Sequence, residues 1–539
     1  MVRGKLPSGR ARGASCAPRR GWACRRCVAL PLALLLALPG SLAAQTRFAV
    51  FEYRVEGNTV LPPLAVEEAV YPHLGPGRTA EDIERARAAL EEAYGRAGYP
   101  TVSVELPQQR VTGGVVTFRV VERRVGRLRV TGARYFLPSE VRAGAPSLAP
   151  GTVPQMGAVQ RDIVALNRLP DRRVTPELRP GAAPNTVDVD LEVQDKLPLH
   201  ATLELNNRQS ANTRPLRLSG SVRYDNLWQR GDSVNFAFQT APQNTNNSTV
   251  FSASYLWRVP GSDASILASF IGSNSNVATV GGTSVIGNGT IFGLRGVLPL
   301  GFTSGFTHTA TLGIDRKSFT EGLTLGADSS EFPITYYPIS GAWQGIWNGE
   351  RGTTIAGATV TANLSGLGDG LTAYQQRRAF ASPYWAHLRL DGSYLHRFDN
   401  GMQAFVSTHG QLSRDPLISN EQFAGGGLDS VRGYLEVETL GDYGFTGQAE
   451  LRSPSAGSLI GPWVDELRAH AFLDGGALRL NQPLPQQQSS FGLLSAGAGA
   501  RIRLFDRLNG TLEGAAVLRD GPLTSSGGVR TLFRVWGEF

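Results

Sequence analysis

Two short segments in the last quarter of the sequence carry residue types suited to a specific polar interaction. The first is the glycine-rich stretch EQFAGGGLDSVRGY at 421–434, and the second is FLDGG at 472–476. The guanidinium of Arg432 presents a planar set of donors that can bind both oxygens of a carboxylate such as that of Asp474. Glycines at 425–427 permit positive φ angles and close backbone approach. These residue types are suited to fixing a loop by an ion pair rather than to a reaction.

The motifs of the common catalytic and cofactor sites are absent from the sequence. The glycines at 425–427 lack the Gly-Lys-Ser/Thr ending of a phosphate-binding loop, and Gly497 and Gly499 lack the third glycine of a dinucleotide fingerprint. The seven histidines form no H-E-x-x-H motif, and no G-x-S-x-G turn is present. The tetrapeptide RGDS at 230–233 falls in a short turn between two predicted strands with alternating apolar and polar residues. In a membrane barrel built from such strands the short turns face the periplasm, which disfavours a role in cell adhesion. We therefore expect no enzyme activity, no catalytic residue, no metal and no cofactor.

The net charge of +8 first suggests a nucleic acid or an anionic surface as a partner, but its distribution removes that suggestion. Eight basic residues and no acidic residue precede position 44. Subtracting these 8 charges from +8 leaves the rest of the chain near zero. The sequence therefore predicts no nucleic-acid partner. The eight residues are Arg3, Lys5, Arg10, Arg12, Arg19, Arg20, Arg25 and Arg26.

The basic segment opens a predicted signal peptide at residues 1–44. It is followed by an apolar run at 28–38 and by small residues at 41–44, with cleavage expected after Ala43 or Ala44. The apolar run is too short, and too interrupted by proline, for a good membrane-spanning helix. The segment therefore predicts export from the cytoplasm.

Cysteine usage and hydropathy limit what the exported chain can be. All three cysteines, Cys16, Cys24 and Cys27, lie in the predicted leader, so the mature chain has no thiol for a disulfide, a metal site or a nucleophile. This composition suits passage through an oxidising periplasm. After the leader, no uncharged apolar run approaches 18 residues, so a membrane protein of this sequence has to be a closed barrel.

Residues 47–122 and 123–195 repeat one β-α-α-β-β pattern at about the same length. In the first unit the predicted elements are a strand at 51–55, helices through 66–70 and 83–94, and strands at 101–106 and 115–121. In the second they are a strand at 125–130, a short helix near Ser139, a longer helix through 159–166, and two strands of which the last is at 187–193.

Residues 196–539 alternate between apolar and polar side chains, which is the pattern of transmembrane barrel strands. At roughly 20 residues per strand and connection, this region accommodates about sixteen strands. A soluble β-sandwich would alternate too, but the leader, the length and the last strand favour a barrel. In that last strand Phe533, Val535 and Phe539 share one face, and Arg534 and Glu538 share the other.

The glycine-rich segment ending in VRGY, followed by F-x-D-x-G, resembles the signature of the Omp85 superfamily of outer-membrane proteins. Each repeated unit resembles a POTRA domain. The fragments LPQQRVTGGVVTFRVVE and NRLPDRRVTPELRPG are similar to the POTRA pair of two-partner secretion transporters (TpsB type), the exporters of haemolysins and haemagglutinins. One departure is Arg123, where that family usually has glycine, and it predicts a stiffer junction between the units.

The resemblance implies a fold and a set of site residues. The fold is a membrane β-barrel of about sixteen antiparallel strands at 196–539, preceded by two α+β POTRA domains at 47–122 and 123–195, with the loop around 421–434 folded into the lumen. The terminal Phe539 would be the signal read by the barrel-assembly machinery. The pore-loop motif would be Val431, Arg432, Gly433 and Tyr434, and its partners on the barrel wall would be Phe472, Asp474 and Gly476.

The resemblance also implies a function. The chain would be an outer-membrane transporter of a Gram-negative bacterium, surrounded by outer-membrane lipid, with its POTRA domains in the periplasm. These domains would recognise the amino-terminal secretion domain of an unfolded exoprotein, which would then cross the membrane through the barrel. Family members often carry an amino-terminal plug helix. Since Phe48 starts the first strand within about five residues of the expected cut, we expect the inward-folded loop to close the pore instead.

Three other functions are weighed against this prediction. A barrel-assembly insertase of the same superfamily would also carry the loop motif, although that branch generally has more POTRA units. A plain diffusion porin would lack residues 47–195. An outer-membrane hydrolase would need a nucleophile and a base on the barrel rim, and the sequence indicates neither.

Overall fold

The computed structural model describes most of the chain after the predicted leader. The signal peptide predicted at 1–44 lies outside the described residues. Within the described part, no helix combines the length and the apolar composition needed to cross a membrane. The described residues are 47–211, 213–245, 248–280, 283–325 and 328–539, without the side chains of 275–280, 283–286, 302, 322–325 and 328–330.

The first α+β unit places two helices over a three-stranded sheet. Strand β5 lies in the middle, parallel to β2 and antiparallel to β4, and the additional pair β1–β3, which the sequence did not predict, forms a small separate sheet. The long helix α2 begins with Thr79 and Asp82 capping each other's backbone N–H groups and buries Leu90 and Tyr94. The elements are β1 (Phe48–Val50), β2 (Glu52–Glu56), α1 (Pro63–Val70), β3 (Gly75–Arg78), α2 (Ala80–Arg96), β4 (Ser103–Glu105) and β5 (Val115–Val121).

The second unit repeats this topology. Strand β8 lies in the middle, parallel to β6 and antiparallel to β7, and its core is a separate apolar cluster that includes Phe136, Leu148 and Leu191. The repeat predicted from the sequence is therefore present in both units. The elements are β6 (Arg124–Thr131), α3 (Pro138–Ala143), α4 (Met156–Leu166), β7 (Arg172–Pro180) and β8 (Thr186–Asp195).

A glycine at the same place in each unit extends the repeat to backbone geometry. Gly57 follows β2 with φ +88°, and Gly132 follows β6 with φ +81°. A Cβ at Gly57 would lie 2.5 Å from the carbonyl oxygen of Val120, and one at Gly132 would lie 2.4 Å from that of Val193. After β2 and after β6 the chain can turn away from the sheet only because no side chain stands at this position.

Among the described residues, sixteen antiparallel strands form a closed barrel, which confirms the predicted fold class. Strand β26 returns to β9 and closes it, with Arg534 opposite Asn206 and Glu538 opposite Thr202. The pair β20–β21 is a separate hairpin inside the connection from β19 to β22. The elements are β9 (Leu199–Asn206), β10 (Arg217–Leu227), β11 (Asp232–Thr240), β12 (Thr249–Arg258), β13 (Ser265–Val280), β14 (Thr283–Thr303), β15 (Phe306–Leu325), β16 (Asp328–Asn348), β17 (Gly352–Gly368), α5 (Leu371–Arg377), β18 (Ala386–Arg397), β19 (Gln403–Ser413), β20 (Phe423–Gly425), β21 (Thr439–Gly441), β22 (Tyr443–Arg452), α6 (Gly457–Ile460), β23 (Val464–Arg479), β24 (Ser490–Leu504), β25 (Leu508–Val517) and β26 (Val529–Glu538).

The barrel is apolar outside and polar inside. Leu203, Val222 and Phe236 face outward with about half of their surface exposed, at 54%, 48% and 58%. On the inner face of neighbouring strands, Arg534 donates to Glu204 at 2.7 Å. Alternation along each strand places successive side chains on opposite faces, so the period-two pattern of the sequence becomes an apolar exterior and a polar lumen.

The second α+β unit contacts one rim of the barrel, which we call the near end. This rim carries the turns at 228–231 and 259–264, and the opposite rim is the far end. The backbone N–H of Leu137 donates to Gln229 at 3.0 Å, and Asn226 donates to the carbonyl of Tyr135 at 3.3 Å. An exposed ion pair joins Arg168 to Asp263.

We expect Gly132→Ala to destabilise the second unit more than Gly151→Ala does. Both glycines have positive φ, but a Cβ at Gly151 (φ +90°) would meet nothing within 4 Å. The left-handed backbone costs about 1–2 kcal/mol at either site, and overpacking against Val193 adds about 1–3 kcal/mol at Gly132 alone. Urea unfolding of a fragment spanning 47–195 measures the difference, and equal losses of unfolding free energy in the two variants would contradict it.

Candidate functional site: a polar loop anchored inside the barrel

The connection between β19 and β22, residues 414–442, folds into the barrel from the far end. Its hairpin β20–β21 brings the two arms of the loop together, with Phe423 opposite Gly441 and Gly425 opposite Thr439. The segment between these strands carries the VRGY motif. We call residues 414–442 the inner loop.

Arg432 binds Asp474 of β23 through both oxygens of the carboxylate. Its Nε donates to Oδ2 at 2.7 Å, its Nη2 donates to Oδ1 at 2.9 Å, and its backbone N–H donates to Oδ2 at 3.1 Å. Arg432 is 4% exposed and Asp474 is fully buried. The structure therefore brings together the two residues on which the sequence analysis focused, in the geometry that is strongest for this pair. Their role in transport stays a prediction.

Two further carboxylates contact Arg432, and the sequence analysis missed both. The Nη1 atom lies 3.3 Å from Oε2 of Glu450 in β22 and 3.4 Å from Oε1 of Glu513 in β25. A signal for them was available, because each is an acidic residue at an inward-facing position of an alternating strand. What the sequence did not give is the register that places β22, β23 and β25 around one guanidinium.

Additional basic groups partly neutralise these acids. Arg452 donates from Nε to Glu450 at 2.7 Å, and Arg501 lies 3.7 Å from the same carboxylate. His470 Nε2 lies 3.0 Å from Glu513. The result is a buried network in which the guanidiniums of three arginines face the carboxylates of Asp474, Glu450 and Glu513. Such a network is stable in a low-dielectric interior only when its members are all present.

The predicted wall motif supports Arg432 by packing as well as by charge. The guanidinium carbon of Arg432 lies 3.5 Å from the centre of the Phe472 ring, a close cation–π contact. A Cβ at Gly497 of β24 would come within 2.4 Å of the Phe472 ring, so that glycine makes room for the aromatic platform. Gly476 lies against Thr446 and the backbone of β22, where a Cβ would be 2.9 Å from the Thr446 methyl group.

The other residues of VRGY fix the motif on the wall. Val431 and Tyr434 are buried in an apolar cluster with Leu493 and Val517. The Tyr434 hydroxyl accepts a hydrogen bond from the Leu494 N–H at 3.1 Å and contacts the carbonyl of Arg519. Gly433, with φ +92°, turns the chain between the two buried side chains.

The first arm of the inner loop carries a second buried carboxylate site that the sequence analysis did not predict. Glu421 is 2% exposed, and its Oε1 atom accepts from Lys317 of β15 and Tyr336 of β16, both at 2.6 Å. Its Oε2 atom lies 3.4 Å from His387 of β18. Gln411 donates to the Glu421 carbonyl at 3.1 Å. The contacts of the Glu421 side chain lie on one side of β19, from which the loop emerges, and the Arg432 contacts to β22, β23 and β25 lie on the other side.

The second arm is bound at Asp442, which is fully buried. Arg378, just after α5, binds both oxygens of this carboxylate through its Nη1 and Nη2 atoms, at 2.7 Å for the Nη2–Oδ2 contact. The backbone N–H groups of Leu417 and Asn481 also donate to it, at 2.9 and 2.6 Å. One carboxylate thus joins the start and end of the inner loop to two neighbouring far-end connections.

Three more acidic residues of the loop, Asp429, Glu436 and Glu438, bind connections on the other side of the far end. Arg208, after β9, contacts Glu436 at 3.0 Å and also pairs with Asp429. Glu438 accepts from the N–H groups of Leu523 and Thr524, both at 2.7 Å. These contacts fasten the loop along its whole length by hydrogen bonds and ion pairs.

Phe539, the predicted assembly signal, lies at the near end of the closing strand. Its ring is outside the barrel and the residue is 70% exposed. Its backbone exchanges two hydrogen bonds with Ala201 of β9, at 2.9 and 3.2 Å. The residue is accessible to another protein or to lipid, but recognition by the assembly machinery stays a prediction.

Comparison with known families agrees with this architecture. The family model "POTRA domain, ShlB-type" matches residues 48–123. The model "Haemolysin secretion/activation protein ShlB/FhaC/HecB" matches residues 335–502, the part of the barrel that contains the inner loop and the Asp474 strand. The chain is thus similar to ShlB-type POTRA domains in its first α+β unit and to the ShlB/FhaC/HecB secretion proteins in its barrel. The resemblance predicted from VRGY and the wall motif is thereby confirmed.

Curated relatives of the chain are outer-membrane transporters. The chain is 24% identical over 452 residues to the outer membrane transporter CdiB of Dickeya dadantii, covering 80% of this chain and 76% of the relative. It is also 24% identical over 486 residues to CdiB of Escherichia coli, and this match covers 84% of this chain and 76% of the relative. Together with the apolar exterior of the barrel, these relatives assign the chain to the outer membrane.

Solved structures share the fold. CdiB from Escherichia coli superposes with a TM-score of 0.62 at 20% identity and covers 94% of each chain. CdiB from Acinetobacter baumannii gives 0.57 at 14% identity, covering 92% of this chain and 90% of that one. BamA from Haemophilus ducreyi lacking POTRA domains 1–3 gives a TM-score of 0.55 at 13% identity, and the match covers 91% of this chain and 100% of that one. At these identities the likeness shows the fold alone.

We expect Arg432→Ala to loosen the tip of the inner loop. The change leaves Asp474 and its neighbouring carboxylates buried without the guanidinium, which costs about 3–5 kcal/mol. A cysteine introduced at Ser430 is a suitable probe, because residues 28–539 contain no other cysteine and the Ser430 hydroxyl has no hydrogen-bond partner. Maleimide labelling at position 430 should become about tenfold faster or more in Arg432→Ala.

The matched control for this measurement is Arg295→Ala. Arg295 forms an ion pair with Asp315 at 2.8 Å on the inner face of β14 and β15, so its loss also leaves a carboxylate on the barrel wall. It does not hold the tip of the inner loop. Equal labelling rates in the Arg432 and Arg295 variants would mean that Arg432 does not fix the loop.

We expect a charge swap, Arg432→Asp with Asp474→Arg, to leave labelling as fast as in Arg432→Ala. A simple two-residue ion pair would be restored by the swap. Here the new carboxylate at position 432 would face Glu450 and Glu513, which lie 3.3 and 3.4 Å from the native guanidinium. Adding Glu450→Gln and Glu513→Gln to the swap should slow the labelling again. Full recovery in the swap alone would show that these two glutamates are unimportant.

Proposed function

We propose that this protein secretes an unfolded partner protein across the outer membrane through its barrel, and that the inner loop closes the resting pore. The observation that carries the proposal is the fastening of the loop by buried polar contacts inside a closed barrel. Such contacts hold the loop firmly when water is excluded, yet they can be exchanged for contacts with water or with a passing chain. A permanent structural plug would need no such arrangement.

In this proposal the two α+β units lie in the periplasm and receive the amino-terminal secretion domain of the partner. In the first unit β4 pairs with β5 on one side, and among the described strands no other pairs with its second side. Beside it lies a concavity of about 700 Å³ whose lining includes Phe48, Leu106 and Val116. An extended segment can add to such an edge through backbone hydrogen bonds while one of its apolar side chains enters the concavity.

The lumen has a mainly polar wall along β15 to β19. A concavity of about 400 Å³ lies in the barrel wall. Most of its lining side chains are short or polar, among them Thr309, Gln344 and Asp391, and its large apolar members are Trp343 and Ile355. A wall with few apolar side chains suits an extended chain of mixed sequence, because it gives no strong binding site along the way. No ATP is present at the outer membrane, so folding of the exported protein outside would bias its movement outward.

The proposal includes no catalytic step and no cofactor. Biogenesis would use the exposed Phe539 as the signal for the barrel-assembly machinery, and outer-membrane lipid would surround the apolar exterior. The alternative is insertion of other barrels into the outer membrane, which the likeness to the BamA fold favours.

We expect Arg432→Ala to leave the barrel inserted while secretion falls by about tenfold or more, because the loop that shapes the pore loses a contact worth several kcal/mol. The measurement is the amount of partner protein in the medium, with the partner taken from the neighbouring reading frame, and single-channel conductance of the purified variant. Arg295→Ala is the control and should secrete normally. Wild-type secretion and conductance in Arg432→Ala would remove the proposed role of the loop.

A strain that lacks the gene distinguishes secretion of a partner from insertion of other barrels. Deleting the gene should abolish secretion of the partner and leave the amounts of other outer-membrane barrels unchanged. Depletion of those barrels, with secretion intact, would instead favour the insertase.

A further inference from the structure

Three potential metal ligands meet where the second α+β unit contacts the near end of the barrel. Asp171 lies in the connection from α4 to β7, His200 lies in β9, and Asp225 lies in β10. Their donor atoms, one imidazole nitrogen and two carboxylate oxygens, all lie within 4.8 Å of one another. The group thus joins the second unit to the first two strands of the barrel.

The backbone holds the three residues in place independently of their side chains. The carbonyl of Asp171 accepts from the Lys196 N–H at 2.8 Å, and the N–H of Asp225 donates to the Pro198 carbonyl at 2.9 Å. His200 is in the β9–β10 ladder opposite Arg223. Both aspartates are buried, at 7% and 8% exposure. The site is therefore preorganised, which favours binding of an ion over rearrangement of the chain.

Both carboxylates point at the same atom of the imidazole. Nε2 of His200 lies 2.9 Å from Oδ2 of Asp171 and 3.5 Å from Oδ2 of Asp225. One N–H can donate a linear hydrogen bond to one of these oxygens only. Arg223 binds the same Asp225 oxygen at 2.8 Å, which offsets one of the two negative charges. A cation placed between the three donor atoms would satisfy the imidazole lone pair and both carboxylates at once.

The donor set and its spacing suit zinc. Zinc takes histidine nitrogen and carboxylate oxygen at about 2.0–2.2 Å, so ligand atoms in a tetrahedral site lie roughly 3.3 Å apart. The two distances from His200 lie on either side of that value. The His200 side chain is 34% exposed, which leaves an entry path and room for a water molecule as the fourth ligand.

We propose that Asp171, His200 and Asp225 bind one divalent cation of the zinc class, which locks the second unit to the barrel. The bound ion replaces a hydrogen bond and a charge contact by three coordinate bonds across the junction. When the ion is present, the second unit then has a narrower range of orientations relative to the near end of the barrel. This site is separate from the inner loop, so the proposal goes beyond the secretory function and does not depend on it.

Zinc binding to the purified full chain in detergent tests the proposal, with Zn²⁺ competed against a chromophoric chelator. We expect one tight zinc ion per chain, lost in His200→Ala and in Asp171→Asn. The control is His409→Ala, which removes a histidine that contacts a single carboxylate, that of Asp391 at 2.7 Å, and it should keep the site. Absence of zinc binding by the wild type, or equal binding by all variants, overturns the proposal.

A distance measurement tests the locking role even if a variant folds poorly. Spin labels at Ser139→Cys in the second unit and Ser262→Cys in a near-end turn report the distance across the junction. Zinc should narrow the distance distribution in the otherwise wild-type chain and leave it unchanged in Asp171→Asn. An unchanged distribution in the wild type with zinc bound would mean that the ion does not lock the junction, and that part of the proposal would fail.

Discussion

The burial of one guanidinium constrains the inner loop and the barrel wall together. Arg432 is 4% exposed and is surrounded by Asp474, Glu450 and Glu513, with the Phe472 ring against its face. An unpaired charge in such surroundings costs several kcal/mol, so neither the arginine nor the acids can be buried alone. The acids come from β22, β23 and β25, which are brought together only by the register of the closed barrel. The position of the inner loop therefore depends on the acids of the barrel wall, and the burial of those acids depends on Arg432 of the loop.

The same physical logic extends along the whole inner loop. Its acidic residues Glu421, Glu438 and Asp442 are each buried against donors from other parts of the barrel. The loop is thus attached mainly by polar contacts, whereas the α+β units are held by apolar cores. Polar contacts are rigid when water is excluded and exchangeable when it enters. This difference fits the proposed function, in which the loop closes the lumen and the units keep their shape while they bind a partner.

The junction between the second unit and the barrel is built differently again. It uses a few specific contacts, including those of Gln229 with Leu137 and the group around His200. The exposed pair Arg168–Asp263 adds under about 1 kcal/mol. Buried Leu169 of the second unit also lies beside Gly231 in the 228–231 turn, so apolar packing adds to these polar contacts.

The sequence by itself determined the local features of this protein. Alternation around Val222 and Phe236 identified barrel strands, because successive side chains of a strand face opposite sides. The face through Ile83 and Leu90 identified the long helix for the analogous reason. The VRGY and F-x-D-x-G motifs, by resemblance, named the family and one ion pair. Only the tertiary structure decided which acids meet Arg432, where Glu421 and Asp442 are bound, how β26 closes on β9, and that β1 pairs with β3. These depend on strand register and on contacts between residues far apart in the chain, which no local pattern of side chains encodes.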